Sequence, residues 1–349
     1  LGNHSYAYAM GRVRAVERKM LGRSQFDRMI EARTADDAFR VLHEAGYSGA
    51  GGASGVGAGA SPDAQHAARD YELLLDAENE RLAAFVTEIS PEPRLLNFFL
   101  LRFDYHNLKV LLKTEFSGAA GGPALSHSGV IAPDKLAANI RERELFALPD
   151  PMAEGVMEAI KAYQHSVSIQ SPDPQCVDIH LDRAMYAHMM GEAKALGSPF
   201  MEQLTRINID LVNIGSFLRM RGMGKSAEFM RGALVPGGSV GYSVFARFLQ
   251  DDLDGFVGAM QHTPYSGLCE EGAKSYRDTG RMTVFERRAD DFVSAFIKKV
   301  KLYPIGLELI AAYFVARQTE FKNIRIIMVG KINGIAQDVI RERLRESYV

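Results

Sequence analysis

Along most of the chain, apolar residues recur three and four positions apart, as at Met10, Val13, Val16 and Met20 or at Phe292, Phe296 and Val300. This is the stripe that an α-helix buries on one face. Period-two alternation sustained over a strand's length is absent from the pattern. Ser61-Pro62, Ser90-Pro91 and Thr263-Pro264 each put an oxygen-bearing residue before a proline, the order of an N-cap and a first helical position whose missing N–H costs nothing. Thr34 to Asp37 and Thr283 to Glu286 have the spacing of a capping box, in which the acid reaches back to the cap's own N–H. The pattern predicts an all-α protein. One segment stands apart: residues 48–61, SGAGGASGVGAGAS, hold nothing to pack and much backbone entropy to lose, which predicts a mobile loop. No G-x-G-x-x-G occurs there and no β-branched strand precedes it, so it does not read as a phosphate cradle.

A repeat lies over the helical pattern. Arg102-Phe-Asp104-Tyr-His-Asn107-Leu, Asn208-Ile-Asp210-Leu-Val-Asn213-Ile and Thr319-Glu320-Phe-Lys-Asn323-Ile share the order acid-x-x-Asn-[Leu/Ile], each followed by apolar residues. The asparagines lie 106 and 110 positions apart, and each motif sits in a long helical stretch after a proline, Pro93, Pro199 or Pro304. A second element precedes each motif: Asp37-Ala-Phe39 leading to Tyr47, Glu154-Gly-Val156 to Tyr163, and Asp254-Gly-Phe256 to Tyr265. Three multi-helix units are therefore expected, at 1–121, 122–228 and 229–349. Spacing alone allows a closed pseudo-threefold body or an open stack.

The charge balance narrows the partners. With 41 basic and 43 acidic residues and a net charge of −2, no global basic field exists to hold nucleic acid or an anionic lipid surface. The richest apolar stretch, 307–329, is interrupted by Glu308, Arg317, Glu320, Lys322 and Arg325, too many charges for a bilayer span. The first residues lack the basic, apolar, small-residue order of a signal peptide. Two cysteines, Cys176 and Cys269, form neither a CxxC pair nor a disulfide framework. A cytoplasmic protein that meets membranes only through other proteins is expected.

Three stretches carry a family likeness: Tyr6-Ala-Tyr-Ala-Met-Gly-Arg12-Val-Arg14-Ala-Val-Glu17, Phe103-Asp104-Tyr-His-Asn107-Leu-Lys109, and Glu320-Phe-Lys-Asn323-Ile-Arg325 before the closing Arg341-Glu-Arg-Leu-Arg-Glu-Ser-Tyr-Val. In these the chain resembles the C subunits of archaeal and bacterial V-type (A-type) ATP synthases, a family whose eukaryotic relative is the d subunit of the vacuolar ATPase. The resemblance implies three similar helical units about a pseudo-threefold axis, forming a funnel without an active site. It also implies the partners, a membrane proteolipid ring below and the tip of the central rotor shaft above, with torque passed between them during ATP synthesis or hydrolysis. The chain departs from the pattern at Gly215, which stands where the other units have Lys109 and Arg325, and in the glycine-rich segment 48–61.

The candidate chemistry is mostly structural. Asp104 and Asn107, Asp210 and Asn213, and Glu320 and Asn323 are each three apart and share a helix face. A catalytic acid is needed once and not three times, so these pairs are expected to bridge helix ends. Lys109, Arg325, Arg12 and Arg14 are the candidate partner contacts. Gly224-Lys225-Ser226 imitates the tail of a Walker A motif, but its first glycine would fall on Arg219. Gly222-Met-Gly224-Lys-Ser-Ala227 fits the looser dinucleotide pattern yet follows a helix where a strand is required, so a helix-ending turn is expected. His180 and His188 are eight apart, too far to share a metal without other ligands. The reading is a non-catalytic protein with no cofactor and no metal. The alternative is an α-helical repeat scaffold that binds a peptide or regulatory protein.

Overall fold

The computed structural model describes residues 2–47, 64–118, 124–302 and 306–349. Among them are sixteen α-helices and no strand: α1 (Gly2–Glu17), α2 (Arg23–Glu31), α3 (Ala35–Glu44), α4 (Ala64–Ile89), α5 (Pro93–Ser117), α6 (Pro133–Glu142), α7 (Asp150–Ser168), α8 (Gln175–Ala195), α9 (Pro199–Gly222), α10 (Ala227–Ala233), α11 (Tyr242–Phe248), α12 (Leu253–Met260), α13 (Ser266–Thr279), α14 (Thr283–Lys298), α15 (Leu307–Ile332) and α16 (Gln337–Arg343). The all-α expectation holds. The glycine-rich segment 48–61 and the Ser61-Pro62 start signal lie outside the described residues.

The chain divides into two compact units, one made of Leu1–Pro93 with Ser275–Val349 and the other of Arg94–Lys274. In the first, α15 is the axis. It buries Leu309, Ile310, Ala312, Phe314, Phe321, Ile324, Ile327 and Met328 among others, positions that cover its whole circumference and mark a fully enclosed helix. Around it pack α1, α2, α3, α4, α14 and α16, so elements from both ends of the chain share one core. In the second unit, Leu101, Tyr105, Leu108 and Leu112 of α5 form one cluster with Leu136 and Ile140 of α6, Met152 and Val156 of α7, and Val177 and Leu181 of α8. Phe217 of α9 meets Phe245 of α11 and Phe256 of α12 at ring-centroid distances of 5.6 and 4.5 Å. Each such side chain stabilises the fold by roughly 1.5–3 kcal/mol through burial.

The predicted starts fare unevenly. Thr34 caps α3, its hydroxyl accepting the Asp37 N–H at 3.1 Å. Ser90 and Thr263 instead close tight turns, accepting the N–H of Glu92 and Tyr265 at 3.2 Å each, and the helices begin later, at Pro93 and Ser266. Thr283 is the first residue of α14 and not its cap, a place taken by Met282. A serine or threonine before a proline thus serves a turn as readily as a helix, because the same side-chain oxygen satisfies an N–H two residues on in the turns and three residues on in the caps. Two caps not read from the sequence are Ser198 on α9 and Ser226 on α10.

Candidate functional site

The repeated motif lies on α5, α9 and α15. In each helix the asparagine turns its amide away from its own backbone and closes on one residue further along the chain. Asn107 donates to the Ser126 carbonyl and accepts the Ser126 N–H, both at 2.8 Å. Asn213 does the same to Val235, again at 2.8 Å twice. Asn323 holds Arg345 at 3.1 and 2.9 Å. An asparagine is needed because the clamp uses one donor and one acceptor side by side, which a carboxylate cannot supply. The clamped residues lie 19, 22 and 22 positions downstream.

The acids bind what surrounds each clamp. Asp104 accepts the N–H of Val130 at 3.0 Å and of Ile131 at 3.1 Å. Asp210 accepts the N–H of Val240 at 3.0 Å and the hydroxyl of Tyr265 at 2.8 Å. These short side chains reach backbone only because glycine lines the approach: a Cβ on Gly129 would stand 2.1 Å from Asp104 Oδ1, and one on Gly238 2.3 Å from Asp210 Oδ1. Burial pushes the Asp104 carboxyl up to about 6, against the pull of the two backbone donors. Glu320 accepts the N–H of Leu21 at 3.0 Å, the hydroxyl of Tyr47 at 2.5 Å and the guanidinium of Arg317 at 3.0 Å. Arg317 continues to Glu78 at 3.0 Å, forming a charged cluster with side-chain exposures of 3% for Glu320 and 11% for Arg317 and Glu78.

The tyrosines of the second repeated element join the motif helix that precedes them in cyclic order. Tyr265 bonds to Asp210 on α9 and Tyr47 to Glu320 on α15. Tyr163 stacks on Phe116 of α5, ring centroids 3.9 Å apart, and donates to its carbonyl at 3.3 Å. Two further regularities escaped the reading of the sequence although their signal is there. Gly118, Gly224 and Gly334 stand eleven residues after their asparagines and end the motif helices in the left-handed region, with φ of 62°, 63° and 62°. Eight residues after the asparagine, Arg221 caps α11 through the carbonyls of Phe248 and Leu249, and Lys331 caps α2 through those of Ile30 and Ala32. In the first copy the corresponding residue is Glu115, and the base comes from the other side, Arg143, which binds both Glu115 and the Ile140 carbonyl at the end of α6.

The four candidate partner contacts are all engaged within the chain. Lys109 pairs with Asp182 of α8 and Arg325 with Glu72 of α4. Arg12 reaches Glu88 through both guanidinium nitrogens, and Arg14 pairs with Glu17, which also accepts the Tyr348 hydroxyl. Gly215 is buried on α9. Gly224-Lys225-Ser226 is the turn between α9 and α10: the Lys225 N–H returns to the Met220 carbonyl, the Lys225 ammonium lies over the Phe229 ring, and Ser226 caps α10. Among the described residues no three His, Cys, Asp or Glu side chains are grouped to hold a metal. His188 lies against the Tyr105 hydroxyl at 3.3 Å. Surface clefts of about 490 and 520 Å³, lined by Arg14, Glu17 and Arg18 and by Lys113, Gln175 and Asp178, contain no motif residue. The motif residues are thus brackets that tie loops and helix ends to three long helices.

The sequence pattern of one family, the ATP synthase (C/AC39) subunit, matches residues 9–343. The C subunit of the V-type sodium ATPase of Enterococcus hirae is 24% identical over 336 residues, covering 96% of this chain and 97% of that one. The C subunit of the A-type ATP synthase of Methanocaldococcus jannaschii is 24% identical over 361 residues, with 97% and 86% covered. The C subunit of the V-type ATP synthase of Thermus thermophilus is 24% identical over 348 residues, with 97% and 98% covered.

Proposed function

The chain belongs to the ATP synthase (C/AC39) subunit family, and from that membership we propose that it couples the membrane proteolipid ring to the central rotor shaft of a V/A-type ATP synthase. It is a non-catalytic stalk subunit and not an enzyme in its own right. The observation that carries the reading is the family match from residue 9 to 343, which spans both compact units. Among the described residues no helix is long and apolar enough to cross a membrane, which supports association through protein partners and not through lipid. Torque transfer demands stiffness, and enclosed helices tied by repeated side-chain clamps supply it.

The same proposal retains three related units, at 1–121, 122–228 and 229–349, in a pseudo-threefold funnel that meets the ring on the cytoplasmic side. Arg12, Arg14, Lys109 and Arg325 stay its candidate contacts. The Arg12–Glu88 and Arg325–Glu72 pairs are solvent-exposed and individually weak, so a partner's acid can replace Glu88 or Glu72 at little cost. Co-sedimentation with vesicles that carry assembled proteolipid ring, against ring-free vesicles of the same lipid, tests the coupling. Strong binding to the first alone is expected; equal binding to both refutes it and favours the scaffold alternative.

A further inference from the structure

The repeat lets the second and third copies be compared residue by residue. Fourteen residues after the clamping asparagine each begins a short helix, α10 at Ala227 and α16 at Gln337, and eighteen after it each has an arginine, Arg231 and Arg341. Arg341 is compensated. It lies 3.7 Å from Asp27 and 3.1 Å from Glu31, two acids one turn apart on α2. In the second copy α11 takes the place of α2: both are capped by the base eight residues after the asparagine, and Arg23-Ser-Gln-Phe26 matches Tyr242-Ser-Val-Phe245, with both phenylalanines buried. In that register Asp27 becomes Ala246 and Glu31 becomes Gln250. Arg231 therefore meets no acid on α11 and lies instead over the Tyr242 ring, 4.8 Å from its centroid.

Two more cations adjoin α10. Arg183 of α8 donates to the Gly232 carbonyl at 2.6 Å, and the Lys225 ammonium lies 4.7 Å from the Phe229 ring centroid. All three cations are thus held by neutral groups, one carbonyl and two ring faces, and among the described residues none of them pairs with a carboxylate. Glu228, in the first turn of α10 and three residues from both Lys225 and Arg231, pairs with neither. Elsewhere the pattern is the reverse, since Arg12, Lys109, Lys113, Lys322 and Arg325 each have an acid of this chain. A carbonyl or a ring face fixes a cation in place but leaves its charge to be neutralised from outside. Two residues before Lys225, in the turn that ends α9, Met223 is 55% exposed.

We propose that Arg183, Lys225 and Arg231, with Met223, form a docking surface for an acidic helical segment of another protein, whose carboxylates one turn apart take the place that Asp27 and Glu31 hold in the third copy. The surface rests on the reading of the chain as one subunit of an assembly. A lipid surface fits it less well. A polybasic membrane site gathers about four to eight cations on a mobile or amphipathic segment, whereas here three are fixed by α8, α10 and α11, an arrangement that suits carboxylates fixed in the same way.

Co-sedimentation of the full chain with phosphatidylcholine vesicles carrying the rotary complex stripped of this subunit tests the surface. Lys225→Glu with Arg231→Glu should weaken binding at least about tenfold, and the neutral pair Lys225→Gln with Arg231→Gln at least about threefold, with helix content unchanged by circular dichroism. Lys161→Glu, which reverses an exposed cation whose acid Glu158 is on its own helix, should change binding by less than about twofold. Added salt should weaken the unmodified chain more than the neutral pair. Binding that neither double variant weakens overturns the surface and leaves the coupling reading intact, and an equal loss with Lys161→Glu overturns it too. An unmodified chain that does not bind the complex overturns the coupling reading and the surface with it. Binding to complex-free vesicles containing phosphatidylserine that Lys225→Glu with Arg231→Glu abolishes makes the partner a lipid and overturns the proposal.

Discussion

Asp210 and Glu320 occupy the same place in the same motif, three residues before a clamping asparagine, yet both Asp210 oxygens are bonded whereas Glu320 takes its bonds on Oε1 and leaves the buried Oε2 without one among the described residues. Asp210 takes a backbone N–H and a tyrosine hydroxyl, and Gly238 lets the backbone come close enough. Glu320, one methylene longer, takes an N–H, a tyrosine hydroxyl and a guanidinium, and burial still pushes its carboxyl above its ordinary value, with Arg317 opposing. Both tyrosines are driven upward by burial with a carboxylate beside them. The contrast teaches that the clamp is the invariant part of the repeat and the acid's surroundings the variable part. A neutral corner is enough where the chain runs on directly. Where the corner is assembled from distant segments, a base has been added that holds α4 to α15 as well.

The sharpest way to break the comparison is to remove that base. Arg317→Met leaves the buried Glu320 without a cation and Glu78 with only the half-exposed Arg81, and should cost about 3–5 kcal/mol in denaturant unfolding followed by circular dichroism. Tyr265→Phe in the neutral corner should cost only about 1 kcal/mol. Adding Glu78→Gln and Glu320→Gln to Arg317→Met should recover most of the loss. Similar losses for the two single variants would mean that the corners do not differ energetically.

Next in size are the clamps. Asn213→Ala leaves the buried N–H and carbonyl of Val235 unpaired and should cost about 2–4 kcal/mol. Asn323→Ala should cost about half as much, since the Arg345 backbone is less enclosed and water can take the place of the amide. A reversed order in thermal unfolding would contradict the burial argument. Gly238→Ala follows, at about 1–3 kcal/mol, because its methyl group would collide with Asp210 Oδ1. Asp210→Ala in the same chain should relieve part of that collision, visible as a non-additive pair.

The smallest effect brings in the α5 corner, where two shifts oppose each other. His188 is held below its ordinary value of 6.5 by burial, so its stabilising share is present above pH 6.5 and is lost as pH falls through the folded value. Asp104, raised from 3.8 to about 6, stabilises fully below pH 3.8, and that share is lost as pH rises through about 6. Between pH 7 and 5, therefore, His188→Gln should gain stability relative to the unmodified chain and Asp104→Asn should lose it, each by on the order of 1 kcal/mol or less. Melting curves at the two pH values measure both signs, and two shifts of one sign would refute the assignment.

Much of the architecture was legible in the order of residues alone. Helical periodicity named the class, and the spaced acid and asparagine marked α5, α9 and α15, because a three-residue interval puts both side chains on one helix face wherever the helix ends up. From the sequence the pairs are expected to bridge helix ends within each unit; the asparagines instead hold Ser126, Val235 and Arg345, all outside helices, and Glu320 reaches Leu21 and Tyr47 of the first unit. Less legible were the caps at Ser90, Thr263 and Thr283, since a turn and a helix start make the same local demand for an oxygen. The helix-ending turn at Gly224 is expected from the sequence, but its repetition at Gly118 and Gly334 goes unread unless the asparagine is already taken as the origin of the count.

The sequence by itself determined which helices form, where the motif recurs, and that acid and amide share a face, because these depend on near neighbours and on the helical period. Only the tertiary structure decided that Tyr47 belongs with Glu320 and not with the motif helix that follows it, that Glu115 and Arg143 reverse the polarity found at Arg221 and Lys331, and that Arg12, Arg14, Lys109 and Arg325 already have acids of this chain. The physical reason is one of range. A hydrogen-bond or ion-pair partner is whichever group lies within about 3 Å in space, and in α15's surroundings that group comes from the opposite end of the chain, 273 to 301 residues away.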